Sequence, residues 1–346
     1  MGNRNLNRAK NADNDEFYTT RGVIENELSH YKEFFKGKTV YCNCDDPEES
    51  EFWKFFMRVF FPWELKKVIA THYDPNEANF TYSLEITGDR FEPKVTPLPC
   101  NGDFRSAACI ELLKEADIVV TNPPFSLFRE YVAQLVEYDK KFVIIGGLNA
   151  VKYKEIFPLI KAGKIWAGYT FNKTLEFIIP DHYELKGNGF IDAEGKKHGF
   201  VPGICWYTNL DISKRHTTID LRGNYYRPEL YVKYDNLDGI DVGDSTAIPC
   251  DYEGLMGVPI SAFDKISEDQ FEIVGCSDVA GSVPGVDILG PDWIAAYRAQ
   301  GGTGHYTANM RSIGISTPKN KIVFSRLIIR NKKPQARRYS ANDNED

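Results

Sequence analysis

The segment that decides the fold is "EADIVVTNPPFSLFREY", residues 115–131. Its apolar run Ile118–Val120 has the composition of a buried strand, and two consecutive prolines stop that strand abruptly. Proline has no N–H to donate to a neighbouring strand and fixes its own φ, so a rigid loop must follow. Beyond the loop, apolar residues recur at three- and four-residue spacing, which predicts a helix. Asn122 is thereby held at the end of a strand, beside the Pro123 carbonyl and the ring of Phe125.

The same alternation of strand and helix extends over the first half of the chain. The β-rich apolar runs are "KTVYC" (38–42), "KKVIAT" (66–71), "DIVVT" (117–121) and "KFVIIGG" (141–147). Helical spacing recurs between them over residues 49–60, 106–116 and 126–138. This alternation predicts an α/β fold with a Rossmann-like, mostly parallel sheet and helices on both faces.

The character of the chain changes at about Gly168. "TLEFIIP" (174–180) and "GICWYTNL" (203–210) are strand-like and are separated by a glycine- and charge-rich turn. They predict an antiparallel hairpin that closes the sheet and makes it mixed. The chain after Asn209 is rich in Gly, Pro, Asp and Tyr and predicts a second, irregular domain. We therefore predict domains over residues 1–210 and 211–346.

Charge is distributed unevenly along the chain. The net charge of −7 over 346 residues, taken alone, argues against a nucleic-acid partner. Yet residues 311–338 contain nine Lys and Arg and no Asp or Glu, and the opening "MGNRNLNRAK" is basic as well. Apolar residues interleave with the charges over 322–329, so this part predicts a folded strand with a basic face.

Cysteine usage and hydropathy indicate the compartment. The seven cysteines are scattered and odd in number, which argues against a disulfide framework and favours a reducing cytoplasm. Cys42 and Cys44 lack a second Cys or His pair at zinc spacing, so no metal is predicted. The sequence contains neither an apolar run of membrane-spanning length nor a signal-like N-terminus. A soluble, cytoplasmic protein is expected.

Polar residues follow the predicted strands at the edge where a doubly wound sheet binds its ligands. They are Asp45 and Asp46 after the first strand, Asp103 with Phe104 before a helix, and the segment Asn122–Phe125. Each acid alone is also explained as a turn or a helix N-cap. Together they suit a nucleoside, since carboxylates accept hydrogen bonds from ribose hydroxyls or an adenine amine and aromatic rings stack on the base.

Six ordered blocks carry a resemblance to a known family. "NPPF" after a strand is the catalytic motif of amino-group methyltransferases, and "NDEFYT" (14–19) resembles the cofactor motif of the γ-ordered adenine-N6 class. With "VYCNCDDP", "NGDFRS", "GGLNA" and "GVPISAFDKISEDQFEIVG", the chain resembles the EcoRI-type family of adenine-specific (N6) DNA methyltransferases over nearly its whole length. One feature departs from the pattern: the loop "CNCDDPEE", where such enzymes usually carry glycines, contains none.

The resemblance implies a methyltransferase domain that uses S-adenosylmethionine. It implies cofactor contacts by Tyr18, Thr19, Asp45, Asp46, Asp103 and Phe104. It assigns catalysis to Asn122, Pro123, Pro124 and Phe125, in which the Asn122 side-chain oxygen and the Pro123 carbonyl accept hydrogen bonds from an adenine amine. Phe125, and Phe171 in "GYTFNKTLEF", are expected to stack on a base flipped out of the duplex.

The resemblance also implies double-stranded DNA as partner and a C-terminal target-recognition domain. Phosphate contacts are expected from basic residues at both ends of the chain, namely Arg4, Arg8, Lys10, Lys332, Lys333, Arg337 and Arg338. A monomer is expected. A cognate restriction endonuclease would belong to the same system without binding this protein, and GAATTC is the first recognition sequence to test.

Other amino-group acceptors stay open at this point. Cytosine-N4 methyltransferases use the same chemistry but usually carry Ser where this chain has Asn122. RNA guanine-N2 and protein glutamine methyltransferases share NPPY-like motifs, yet they commonly keep a glycine-rich first loop and need no long region after the sheet. The dipeptide Pro99-Cys100 resembles the nucleophile of cytosine-C5 enzymes. That dipeptide precedes the "DIVVT" strand instead of following it, which disfavours this chemistry.

Overall fold

The computed structural model describes residues 18–44, 47–74, 81–180, 183–225, 228–303, 312–316, 318–323 and 325–335. The chain divides into two compact units. The first comprises Met1–Leu148 and Ile165–Ile212, and the second comprises Asn149–Lys164 and Ser213–Asp346. The roles assigned above to domains 1–210 and 211–346 stay predictions. No helix in the described ranges is long and apolar enough to cross a membrane.

The elements of the chain are short and follow one another closely. In order, they are β1 (Tyr18–Thr19), α1 (Arg21–Leu28), α2 (Lys32–Phe35), β2 (Thr39–Cys42), α3 (Glu51–Val59), β3 (Lys67–Thr71), β4 (Thr81–Thr87), β5 (Arg90–Leu98), α4 (Ala107–Glu115), β6 (Ile118–Thr121), α5 (Phe128–Glu137), β7 (Lys141–Gly147), α6 (Phe157–Lys161), β8 (Trp166–Ala167), β9 (Leu175–Ile179), β10 (Phe190–Ile191), β11 (Lys197–Val201), β12 (Ile204–Thr208), β13 (Val232–Lys233), β14 (Gly239–Asp241), β15 (Leu255–Pro259), β16 (Phe271–Cys276), α7 (Pro291–Ala299), β17 (Gly314–Ile315), β18 (Lys321–Ile322) and β19 (Arg326–Asn331). Single 3-10 turns cover Ser29–Tyr31, Leu148–Lys152, Ser213–His216, Pro228–Leu230, Ser245–Ala247 and Ile260–Lys265.

The main sheet of the first unit has eight strands in the order β5-β4-β3-β2-β6-β7-β12-β8. The pairs β3–β2, β2–β6 and β6–β7 are parallel, with Val40 opposite Ile118. The pairs toward both edges are antiparallel. The α/β class and the mixed sheet are thus confirmed. The prediction of a mostly parallel sheet is wrong, because parallel pairing is confined to the four central strands.

The predicted hairpin of residues 174–180 and 203–210 is also wrong. β12 does join the main sheet, antiparallel to β7, but β9 belongs to a separate four-stranded sheet of order β1-β9-β11-β10. The glycine- and charge-rich segment forms its own hairpin instead, because the Asp192 carbonyl accepts from Gly195 N–H at 3.1 Å and closes a tight turn between β10 and β11. Local turn geometry therefore decides the pairing of β10 with β11, and β9 pairs with the other side of β11.

The core of the first unit shows why its helices lie where they do. On α3, Phe52, Phe55 and Phe56 are buried at the i, i+3, i+4 spacing that makes one helical face apolar. The Ser50 hydroxyl caps this helix by accepting from Phe52 N–H at 3.2 Å. These rings pack in one cluster with Ile24 and with apolar residues of the central strands.

The second unit contains a five-stranded sheet of order β13-β14-β15-β19-β16. The strand predicted within the basic C-terminal segment is confirmed as β19, whose Leu327, Ile328 and Ile329 are fully buried. Its arginines do not form an unpaired basic face. Arg326 pairs with Asp241 at 2.9 Å and Arg330 with Glu272 at 3.0 Å, both on neighbouring elements of the same unit.

Candidate active site

The segment Asn122–Phe125 forms a rigid loop at the carboxyl end of β6. Thr121, the last residue of the strand, is fully buried, and Pro123 is buried next to it. The Pro124 carbonyl accepts from Leu127 N–H at 3.0 Å, and this turn leads into α5. Asn122 is partly exposed, and the Phe125 ring packs partly buried against the core. The loop predicted from consecutive prolines is therefore confirmed in its position after β6, while the helix predicted from residue 126 begins two residues later, at Phe128.

A buried asparagine anchors this loop to the neighbouring strand. Asn43 directly follows β2 and is 1% exposed. Its backbone carbonyl accepts from the Thr121 hydroxyl, and its side-chain carbonyl accepts from the hydroxyl of Tyr131 on α5. The ends of β2 and β6 and the helix after the loop are thus joined at one residue. Sequence reasoning missed both Asn43 and Tyr131, although a polar residue right after an apolar strand was a usable signal.

The loop after β2 makes its turn without glycine. Cys44 adopts φ +64°, the left-handed region that glycine occupies most readily. The backbone therefore adopts a conformation that glycine would adopt without strain, and the side chain of Cys44 makes this conformation less favourable. The predicted cofactor residues Asp45 and Asp46 come next and lie outside the described residues, so their contacts stay predictions.

The segment holding Asp103 and Phe104 lies against the carboxyl end of β3. Gly102 has φ +83°, and a Cβ at this position would collide with the His72 carbonyl oxygen just beyond that strand. Asp74 N–H also donates to the Asn101 carbonyl at 3.0 Å. Two loops that are far apart in sequence are thus held together. The approach is so close that only glycine fits at position 102.

The Phe104 ring links this segment to α5, the helix that follows the Asn122–Phe125 loop. Phe104 is 5% exposed and meets the Tyr131 ring edge-on, with 5.0 Å between centroids. The Phe104 carbonyl accepts from the Gln134 side chain at 3.1 Å, which fixes the segment to α5. Since Tyr131 also binds Asn43, the structure brings the Asp103 segment and the Asn122 loop to one network.

The Asp103 carboxylate is an ionised hydrogen-bond acceptor. The Arg105 guanidinium lies 2.6 Å from it, and Arg105 N–H donates to it at 2.8 Å. Hydrogen bonding to the Arg105 side chain lowers the pKa of Asp103, although partial burial opposes the shift. An acceptor of this kind suits the exocyclic amine of an adenine ring.

Tyr18 and Thr19 form β1 at the edge of the second sheet, paired with Ile178 and Phe177 of β9. Thr19 is 2% exposed, and its hydroxyl has no hydrogen-bond partner within the described ranges. A buried hydroxyl without a partner is costly, so a bound polar ligand would satisfy it. The residue types at Thr19, Asp103 and Phe104 fit the polar groups and flat ring of a nucleoside-bearing cofactor.

Phe171 lies in the segment that connects β8 to β9 and is 3% exposed. Its ring meets the Tyr207 ring edge-on at 5.6 Å between centroids. Tyr207 in turn lies 5.6 Å from the ring of Phe128, the first residue of α5. These ring contacts place Phe171 near the start of α5, where the Asn122–Phe125 loop leads into that helix. Its stacking on a target base stays a prediction.

The predicted phosphate contacts are only partly within the described chain. Lys332 and Lys333 are exposed in the second unit, and the Lys332 ammonium donates to the Glu268 carbonyl. The remaining five lie outside the described residues, namely Arg4, Arg8, Lys10, Arg337 and Arg338. Their role on DNA stays a prediction.

Comparison with known proteins gives a consistent picture. The family model "Adenine-specific methyltransferase EcoRI" matches residues 5–332. The chain is 45% identical over 290 residues to Type II methyltransferase M.EcoRI of Escherichia coli, covering 79% of this chain and 89% of that protein. It is 40% identical to Type II methyltransferase M.MpnI of Mycoplasma pneumoniae, covering 78% and 85%. It is 41% identical to Type II methyltransferase M.MgeORF184P of Mycoplasma genitalium, covering 78% and 86%. No solved structure matches the chain.

Proposed function

Because the chain belongs to the EcoRI family of adenine-specific methyltransferases, we propose that it methylates N6 of an adenine flipped out of duplex DNA, with S-adenosylmethionine as methyl donor. It acts as the modification enzyme of a restriction-modification system. The observation that carries the proposal is the Asn122–Phe125 loop, held rigid at the end of β6 and tied through Thr121 to Asn43.

The chemistry required of the protein is modest. Adenine N6 is a poor nucleophile because its lone pair is delocalised into the ring, whereas the cofactor supplies a methyl group already activated on a sulfonium. The Asn122 side-chain oxygen and the Pro123 carbonyl would accept hydrogen bonds from the two N6 hydrogens. Accepting both lets the nitrogen move toward tetrahedral geometry and turns its lone pair outward. The Phe125 ring would stack on the extruded base.

The order of the central strands supports the proposal of a Rossmann-like cofactor site. After β2, the chain adds β3, β4 and β5 on one side of β2 and then places β6 on its other side. The strand order therefore reverses between β2 and β6. Ligands of such sheets bind beyond the carboxyl ends at this switch point. Asn43 and Thr121 meet there. Around that point, Tyr18, Thr19, Asp103 and Phe104, with Asp45 and Asp46, would hold the cofactor.

Recognition of DNA is assigned to the second unit. Lys332 and Lys333, with Arg337, Arg338 and the basic N-terminal arm, would contact phosphates and hold the protein on the duplex. Base readout would come from other residues of the second unit. We propose a cytoplasmic monomer whose cognate endonuclease shares its recognition sequence without binding it.

One experiment tests the function directly. The protein is incubated with tritiated cofactor and, separately, with duplex DNA that includes GAATTC sites, with RNA and with protein acceptors. We expect label only in duplex DNA, and N6-methyl-2′-deoxyadenosine as the only labelled nucleoside after digestion. Label in N4-methylcytosine would place the chain in a different amine class. Label in RNA or protein would overturn the DNA assignment.

A further inference from the structure

Glu27 is a fully buried carboxylate on α1 that the mechanism above does not use. Its Oε1 accepts from the Tyr31 hydroxyl at 2.7 Å and from Tyr169 N–H at 2.8 Å. Its Oε2 accepts from Thr170 N–H and from the Thr170 hydroxyl, both at 2.7 Å. A buried polar group is tolerated only when hydrogen bonds replace its lost water, and these four donors do so.

Three of the four donors belong to one short segment, Gly168–Phe171. Tyr169 and Thr170 direct their backbone N–H groups to the two carboxylate oxygens, so the carboxylate fixes the backbone itself. A Cβ at Gly168 would collide with Glu27 Oε1 and lie 2.6 Å from the Trp206 Cβ. The absence of a side chain at Gly168 therefore leaves room for the Glu27 carboxylate. The Gly168 N–H is held by the Trp206 carbonyl at 2.9 Å.

The helix that carries Glu27 also starts next to the predicted cofactor residues. α1 follows β1, and Thr20 between them donates its hydroxyl to the Glu176 carbonyl at 3.3 Å. The segment that Glu27 fixes ends at Phe171, whose ring reaches α5 through Tyr207. The Glu27 side chain thus connects the helix that follows the Tyr18–Thr19 strand to the segment that ends at Phe171.

We propose that Glu27 is a positioning residue for base flipping. By accepting from both N–H groups, it holds the Tyr169–Phe171 segment in the shape that receives the extruded adenine. The inference rests on the proposed function. It also requires an acceptor oxygen at both carboxylate positions, because each of them faces one backbone N–H, which can only donate. In Glu27→Gln, either orientation of the amide turns an NH₂ group against a backbone N–H, that of Tyr169 or that of Thr170, which cannot accept.

Two variants with one conservative control test the inference. Glu27→Gln and Thr170→Val each remove part of the hydrogen-bond set, whereas Thr170→Ser keeps the hydroxyl. Flipping is followed by 2-aminopurine fluorescence at the target position, and methylation by single-turnover rates on a paired and on a mismatched target adenine. We expect Glu27→Gln to lower the paired rate roughly tenfold or more, Thr170→Val to lower it several-fold, and Thr170→Ser to match wild type.

The mismatched target distinguishes positioning from a general structural role. A mismatched adenine flips at lower cost, so the deficit of both variants should shrink on it, while cofactor affinity measured by calorimetry stays near wild type. Equal deficits on the two targets, or wild-type flipping in a folded Glu27→Gln, would overturn the inference. If Glu27→Gln does not fold, Thr170→Val against Thr170→Ser decides by the same criteria. A wild-type protein that leaves duplex adenine unmethylated overturns the proposed function, and an active wild type beside unaffected variants overturns the inference alone.

Discussion

At the scale of single residues, Asn122 carries the most direct prediction. As the proposed acceptor for the N6 hydrogens, it should matter mainly in the transition state, when the amine loses its conjugation with the ring. We expect Asn122→Ala to lower kcat by roughly 10² or more, the loss typical of one preorganised hydrogen-bonding group, with little change in cofactor or DNA affinity. Single-turnover methylation measures this. Ser126→Ala, on the exposed side of the same loop, serves as control, and near-normal rates for Asn122→Ala would remove it from catalysis.

Gly102 supplies a second prediction at this scale. Its φ of +83° and its closeness to the His72 carbonyl leave no room for a methyl group. Gly102→Ala should therefore push the Asn101–Asp103 segment away from β3 and weaken cofactor binding roughly tenfold or more, because strain of this kind costs about 1–3 kcal/mol. Equilibrium binding of S-adenosylmethionine checks it. Gly88→Ala, where a Cβ meets no atom within 4 Å, should bind as wild type does, and equal binding by both variants would contradict the geometry.

At the scale of elements, the hairpin of β10 and β11 contains an ionic cluster that depends on pH. His198 on β11 contacts Glu176 at 2.7 Å and Asp192 at 3.0 Å, and its side chain is 12% exposed. Burial opposes charging of the ring, but the hydrogen bonds to Asp192 and Glu176 outweigh it, so the pKa of His198 is raised. Because the folded state binds this proton more tightly than the unfolded chain does, protonation of His198 stabilises the fold.

That stabilisation is fully present below the ordinary histidine pKa of about 6.5 and is lost as pH rises through the higher folded value. We expect wild type to exceed His198→Gln in unfolding free energy by roughly 1 kcal/mol at about pH 6, and the difference to shrink toward about pH 8. Thermal melts over this range measure it. Asp192→Asn should reduce the same dependence, and parallel pH curves for wild type and His198→Gln would contradict the cluster's role.

The elements also show how far the sequence can predict the fold. β2, β3, β6 and β7, with the helices between them, were predicted within one or two residues because strand and helix periods are local signals. The strands β4 and β5 were not identified. β5 contains Pro93 and Pro97, and it lies at the edge of the sheet, where proline is tolerated.

Long-range pairing was beyond the reach of local patterns. Tyr18 lies opposite Ile178, and nothing near either residue in the sequence indicates its partner. The same limit applies to the candidate site. The Asn122 loop was predictable because two prolines are a local signal, whereas the roles of Asn43 and Glu27 depend on residues that folding brings to them.

At the scale of the whole molecule, the basic residues near the C-terminus predict how binding responds to salt. Alanine at Lys332, Lys333, Arg337 and Arg338 should weaken binding to all DNA sequences alike. Each lost phosphate contact should lower the slope of log K against log salt by about 0.9. Titrations at several salt concentrations measure the slope. Lys36→Ala with Lys114→Ala, two lysines already paired with Glu64 and Glu111, control for charge, and an unchanged slope in the tail variant would show that the tail is only solvated.

The interrupted first unit has a consequence for synthesis on the ribosome. The segment 149–164 interrupts the first unit but belongs to the second unit, whose other residues begin at Ser213. Its helix α6 buries Phe157 and Ile160, and Lys161 donates to the Val274 carbonyl on β16, 113 residues later. At a translation rate of ~5–20 residues per second, β16 is synthesised about 6 to 23 s after these apolar side chains. The nascent chain thus carries an exposed apolar helix through much of its elongation, which is the kind of surface that chaperones bind.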